Sequence, residues 1–249
     1  MPDENEDSRP SAPPEYDVFD PREAFTLLTS PRSDERTGSL ERDLESDPIP
    51  IIRRFYPPLP TDTPTILFNP AHRFIRRTNP REILIYTDGS CLSNGLGGSR
   101  AGCSFTRKLW ANRGAPSPTS NRAELRAVVA ALEYRVWQGD SFGAWVRLII
   151  ATDSEYVVLG ATERINGWIQ RGWRTSTGTE VMNQDLWKRL IYYIKKAARP
   201  LRFSGPPHGT AVEFWKIPRE WNGEADAEAK RGAQLEGEQE FRVMSGMMV

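Results

Sequence analysis

The sequence predicts an α/β fold, a mixed central sheet flanked by helices, on three observations. Strand-like and helix-like runs alternate from Pro80 onward, the pattern of helices packed on a sheet. Residues 145–151 (Trp-Val-Arg-Leu-Ile-Ile-Ala) form a largely apolar run that suits a central strand covered on both faces. Leu125, Val128, Val129, Leu132 and Val136 recur at helical spacing, which marks a buried helical stripe.

Taken in order, residues 82–87 are a short β-rich run that the turn signal Asp88-Gly89-Ser90 is expected to stop. Residues 101–106 read as a second strand, and the helical stripe follows a polar start at Ser120 and Asn121. After the strand at 145–151, Asp153-Ser154 opens another helix, and Trp187, Leu190, Ile191 and Ile194 mark a longer one. Residues 199–210 are a Pro/Gly loop, 212–217 a strand and 222–233 a final helix. The unit 81–234 is long enough for one well-buried core. Residues 1–80, dense in Pro, Ser and charged side chains with no period of 2 or 3.6, are expected to be an extension of low order. Its apolar islands at 25–28 and 49–52 are too short to make a core of their own, and are left to dock on the domain that follows. Residues 235–249 lack a periodic pattern and read as a flexible tail.

Composition excludes several classes. The 249 residues hold 33 Lys+Arg against 33 Asp+Glu, so nucleic-acid affinity would need a local basic face, for which Arg122, Arg126, Arg174, Lys188, Arg189 and Lys195 are candidates. A charged helix face is just as readily a solvated surface. No apolar run approaches the roughly 20 residues that cross a bilayer. Cys91 and Cys103 are too few for a disulfide scaffold. Met1 is followed by Asp3, Glu4, Glu6 and Asp7, unlike a secretory or transit leader, and the expected location is the nucleus or cytoplasm.

Four acids fall at predicted strand ends or helix starts: Asp88, Glu124, Asp153 and Asp226. Singly each has a bland reading. Asp88-Gly89 is an ordinary turn, Asn121 with Glu124 resembles a capping box, Asp153 suits an N-cap, and Asp226 complements a helix dipole. Together they converge, because strand ends in an α/β sheet share one ligand crevice. Carboxylates gathered there repel one another unless hard divalent cations offset the charge. Two such ions about 3.5–4 Å apart would serve phosphodiester hydrolysis.

Tyr86-Thr-Asp88-Gly-Ser-Cys-Leu-Ser-Asn94-Gly, Thr119-Ser-Asn121-Arg-Ala-Glu124-Leu, Ala151-Thr-Asp153-Ser-Glu-Tyr-Val157 and Asn222-Gly-Glu-Ala-Asp226 resemble, in order, the signature blocks of type 1 ribonuclease H. Ile165-Asn-Gly-Trp168, Gly172-Trp173 and Asp185-Leu-Trp187 match between them, and nothing before Pro80 does. The resemblance implies a metal-dependent endonuclease that hydrolyses the RNA strand of RNA–DNA hybrids. Asp88, Glu124, Asp153 and Asp226 would then hold two Mg²⁺ ions, for which Mn²⁺ can substitute. It places Asn94 and Asn121 against 2′-hydroxyls or minor-groove edges, with turn and cap duty as their alternative, and puts Gly89, Ser90, Ser120 and Trp168 at the substrate. For Trp168 the core is the alternative. The expected partner is the hybrid, bound by a monomer, with no membrane association.

Three departures from the family pattern keep other readings open. The loop His common before the last helix is absent, and Ile217-Pro-Arg-Glu-Trp221 stands there with Arg219 or Glu220 to fill the space. Only Ile-Gln-Arg-Gly separates Trp168 from Trp173, where some members carry a longer basic insertion. Glu155 occupies a position often held by Gln. A binding module of the same fold with weak or no turnover, and a same-fold nuclease for another nucleic acid, are the alternatives.

Overall fold

A computed structural model describes residues 48–92, 100–106, 119–134, 137, 145–200 and 208–234. In chain order it contains β1 (Arg53–Arg54), α1 (Pro64–Leu67), β2 (Phe68–Asn69), β3 (Ile75–Arg76), β4 (Asn79–Leu92), β5 (Arg100–Thr106) and α2 (Ser120–Glu133). Then come β6 (Arg147–Thr152), α3 (Glu155–Leu159), α4 (Ile165–Gln170), α5 (Gln184–Ala198), β7 (Ala211–Lys216) and α6 (Gly223–Gln234). The tail 235–249 and the island at 25–28 lie outside the described residues. Among the described residues no helix is long and apolar enough to cross a membrane.

Among the described residues seven strands make one mixed sheet in the order β1-β7-β6-β4-β3-β2, with β5 also paired to β4. The centre is parallel, β4 to β6 and β6 to β7, and β5 and β3 run antiparallel to β4. Side chains alternate across a strand, so the two faces sort by sequence parity. Ile83, Ile85, Leu148, Ile150, Val212 and Phe214 point to the face covered by α2 and α5, where Leu125, Val128, Trp187 and Leu190 complete the larger core. Leu84, Tyr86, Ile149, Ala151, Trp215 and Ile217 point the other way and meet Ala225 of α6.

That second face corrects the expected low order for residues 48–80, the described part of the N-terminal extension, while residues 1–47 lie outside the described residues. Residues 48–76 are a strap that reaches both sides of the sheet: Arg53 and Arg54 pair with Glu213 and Phe214 of β7, and Ile75 pairs with Ile83 of β4. Between these anchors Phe55 and Phe68 are buried in the second core, with Phe55 4.9 Å from the Trp215 ring. Phe74 meets Tyr86 edge-on at 5.1 Å, and Ile52 joins the larger core. Arg76 lies over both the Phe55 and the Phe68 rings and donates to Glu82 at 2.9 Å. Apolar side chains pack against a face that α6 alone leaves partly open, which is why a segment without periodicity is ordered here.

Candidate active site

The acids are delivered by four different elements. Asp88, 4% exposed, sits within β4 opposite Ser104 of β5. The expected turn at Asp88-Gly89-Ser90 does not form, because β5 supplies a ladder partner for every residue from Tyr86 to Leu92 and the strand continues. Gly89 is needed for a different reason. A Cβ there would stand 2.1 Å from the backbone of Ala123 and Glu124, so only glycine lets β4 and α2 approach this closely. At that approach the Gly89 N–H donates to Glu124 Oε2 at 3.2 Å.

The capping assignments also change, and each change frees a side chain. Thr119, not Asn121, caps α2 by accepting from the Arg122 N–H, and Glu124 turns toward β4 instead of closing a capping box. Asn121 is left exposed in the first turn. Ser154, not Asp153, caps α3, its Oγ accepting from the Val157 N–H. Asp153 is thereby available to the crevice at the end of β6.

One carboxylate oxygen from each of Asp88, Glu124 and Asp153 lies within 4.8 Å of the others. Asp226 lies outside this trio, although the resemblance expects all four acids to hold the cations. Its Oδ1 accepts from Arg219 at 3.1 Å and its Oδ2 from Lys230 at 2.6 Å, so two cations already offset its charge. It remains near enough for its charge to act on Asp88. Burial, then the charges of Asp153 and Asp226, push the Asp88 carboxyl up to about 7, against the pull of Arg219. Burial, then Asp88 and Asp153, push Glu124 up to about 9. The three acids are thus held together at an electrostatic cost. Their donors are all hard carboxylate oxygens, the set that suits Mg²⁺ or a similar divalent cation.

Asn222 was part of a motif block in the sequence but not a site candidate. Its buried side-chain amide donates from Nδ2 to the Thr87 carbonyl at 3.1 Å and to Asp153 Oδ1 at 2.9 Å. Ser90 and Ser120 are half-buried beside the acids' elements, and Asn94 lies outside the described residues. Trp168 is a correction: it is 7% exposed and its ring meets Trp187 at 5.3 Å, so it belongs to the core and not to a substrate surface. The basic face is largely spoken for. Arg122 makes a two-pronged pair with Asp185, Arg126 and Arg189 pair with buried Glu133, and Lys195 is itself buried. Lys188 lies over the Trp173 ring.

The family model described as RNase H matches residues 80–234. The Ribonuclease H of Xanthomonas campestris pv. campestris (strain 8004) is 40% identical over 112 residues, which span 44% of this chain and 70% of that protein. The Ribonuclease H of Halorhodospira halophila is 43% identical over 110 residues, 42% of this chain and 67% of its own. The Ribonuclease HI of Pseudomonas aeruginosa is 41% identical over 117 residues, 45% and 73%. Among solved structures, LC9-RNase H1, described as a type 1 RNase H with the type 2 active-site motif, aligns with 28% identity and a TM-score of 0.41 over 61% of this chain and 72% of that one.

Proposed function

The chain belongs to the ribonuclease H family and is an endoribonuclease of that type, and from that premise we propose that it hydrolyses the RNA strand of RNA–DNA hybrids with divalent cations held at Asp88, Glu124 and Asp153. The observation that carries this reading is the convergence of those three carboxylates, with two of them pushed toward the protonated form. A protein that only packed these residues would gain nothing from gathering like charges in a half-buried crevice. A cation site gains affinity from it.

The proposed complement is two Mg²⁺ ions, with Mn²⁺ able to replace them. When bound, such ions lower the pKa of an attacking water and stabilise the departing O3′, leaving a 3′-hydroxyl and a 5′-phosphate. The chain's own part is to hold the donors. β4 fixes Asp88, the Gly89 N–H fixes one oxygen of Glu124, and Ser154 caps α3 so that Asp153 is not engaged as a cap. Asp226 is the proposed fourth ligand, and Arg219 and Lys230 compete with a cation for its carboxylate. Arg219, whose side chain is 72% exposed, is the positive group at the loop before α6, where it offsets charge at Asp226.

Recognition of RNA is proposed for the edge formed by Gly89, Ser90, Ser120 and Asn121. Asn121 is exposed and stands three residues before Glu124, on the same face of α2. A side-chain amide there can both donate to and accept from a 2′-hydroxyl, the group that separates RNA from DNA. The test is cleavage of an end-labelled hybrid beside double-stranded RNA, single-stranded RNA and duplex DNA, with and without Mg²⁺. Cleavage confined to the RNA of the hybrid supports the proposal. Hybrid binding without cleavage in Mg²⁺ would replace it by the binding-module reading.

A further inference from the structure

Asn222 directly precedes α6, and its carbonyl accepts the first helical bond, from the Asp226 N–H at 3.0 Å. Asn is a favoured residue at such a position because its side-chain oxygen normally accepts a hydrogen bond from the amides of the first turn. Here that oxygen is used for nothing. Oδ1 of Asn222 is buried and accepts no hydrogen bond, while Nδ2 places its two N–H groups on the Thr87 carbonyl and Asp153 Oδ1. The orientation is fixed by chemistry, since the flipped amide would set Oδ1 against two acceptors at 2.9 and 3.1 Å. A buried acceptor without a partner is costly, and such groups call for an explanation beyond packing.

The partners supply it. Thr87 is the residue before Asp88 at the heart of β4, and Asp153 follows β6. One amide therefore bridges the middle of β4 and the end of β6, which carry two of the three converging acids, and it does so from the residue that leads into the helix of Asp226. Asp153 Oδ1 accepts from this donor, which holds the plane of its carboxylate. We propose that Asn222 is a positioning residue of the cation site, setting the rotamer of Asp153 and its separation from Asp88 so that both present oxygens to the same cations. The inference rests on the metal reading above. Groups that orient a metal ligand typically matter by about 10–100-fold in metal affinity or activity when removed.

Asn222→Ser separates this role from a structural one. Ser caps a helix about as well as Asn, so the fold should melt near or above the parent's temperature, yet its hydroxyl is too short to bridge Thr87 and Asp153. Asn222→Ala is the second variant, and whichever melts closer to the parent is used. Mg²⁺ binding is measured by calorimetry on the full chain without nucleic acid, together with the Mg²⁺ concentration that gives half-maximal hybrid cleavage. The expected result is a fall of about 10-fold or more in Mg²⁺ affinity, with a matching rise in the half-saturating concentration and partial recovery of rate at high Mg²⁺. Unchanged Mg²⁺ affinity in the Asn222 variants, with binding lost in Asp153→Asn measured in parallel, overturns the positioning role alone. Unchanged affinity in Asp153→Asn as well overturns the metal reading and this inference with it.

Discussion

Replacing Phe68 by Ala tests whether the strap of residues 48–76 belongs to the core. Phe68 is fully buried, with the Phe55 and Trp215 rings each 6.4 Å away and the Arg76 guanidinium 5.9 Å from its centroid. Truncating a buried Phe removes its transfer free energy and leaves a cavity, for a loss of about 3–5 kcal/mol. Each kcal/mol shifts the melting temperature of a domain this size by about 2–4 °C, so the variant should melt roughly 6–20 °C lower. Ile66, 54% exposed on the same strap, serves as the control, since Ile66→Ala should stay within about 0.5 kcal/mol of the parent. The assay is thermal and urea unfolding followed by circular dichroism. Removing residues 1–76 should lower the midpoint by at least as much as Phe68→Ala or abolish folding. A Phe68→Ala protein that melts with the parent, or a 77–249 fragment that does, would refute the placement of the strap in the core.

Gly89→Ala should destabilise by about 1–3 kcal/mol or more and lower cleavage more than stability alone explains, because a Cβ 2.1 Å from the α2 backbone must displace the helix that carries Glu124; a parent-like melting temperature would contradict this. Asn121→Ala should leave stability within about 0.5 kcal/mol, since Thr119 and not Asn121 caps α2, while lowering the preference for hybrid over duplex DNA; a cleavage ratio unchanged between the two substrates would remove Asn121 from RNA recognition. Asp88 and Glu124 are pushed up to about 7 and about 9, so the metal-free folded state binds more protons than the unfolded one. Their contribution is therefore full below about pH 4 and is lost as pH rises through about 7 to 9, and saturating Mg²⁺ should flatten this decline; equal pH profiles with and without Mg²⁺ would count against a cation at these carboxylates.

Much of the domain was legible because strand and helix periodicity is written locally. The strands at 82–87 and 101–106 fall within β4 and β5, those at 145–151 and 212–217 overlap β6 and β7 to within two residues, and Leu125 to Leu132 of the helical stripe lie on α2, with Val136 outside the described residues. The strap was not legible, since β1, β2 and β3 are two residues each and too short to show alternation, and the partner of β1 lies far along the chain in β7. At Asp88 the local turn signal was overridden by ladder pairing with β5, and glycine served a close helix approach instead of a turn. The trio Asp88, Glu124 and Asp153 could be anticipated from strand ends and helix starts. The separate fate of Asp226 could not, because it depends on Arg219 and Lys230 reaching the same carboxylate. Asn222 gave no signal of its role, as its two acceptors stand 135 and 69 residues earlier.

If the three converging carboxylates hold the cations used to hydrolyse RNA in a hybrid, losing one of their charges should stop turnover without loss of fold. Asp153→Asn tests it most directly, because the change keeps the shape of the side chain, leaves Ser154 as the cap of α3 and removes one negative charge from the trio. The measurement is the rate of Mg²⁺-dependent cleavage of an end-labelled RNA–DNA hybrid by parent and variant, with metal-free hybrid binding and melting temperature recorded alongside. Cleavage should collapse by a large factor, since a lost metal-positioning carboxylate loses both water activation and charge stabilisation. Hybrid binding and stability should hold or rise as like-charge repulsion is relieved. An Asp153→Asn protein that cleaves the hybrid as fast as the parent would contradict cation binding by these carboxylates.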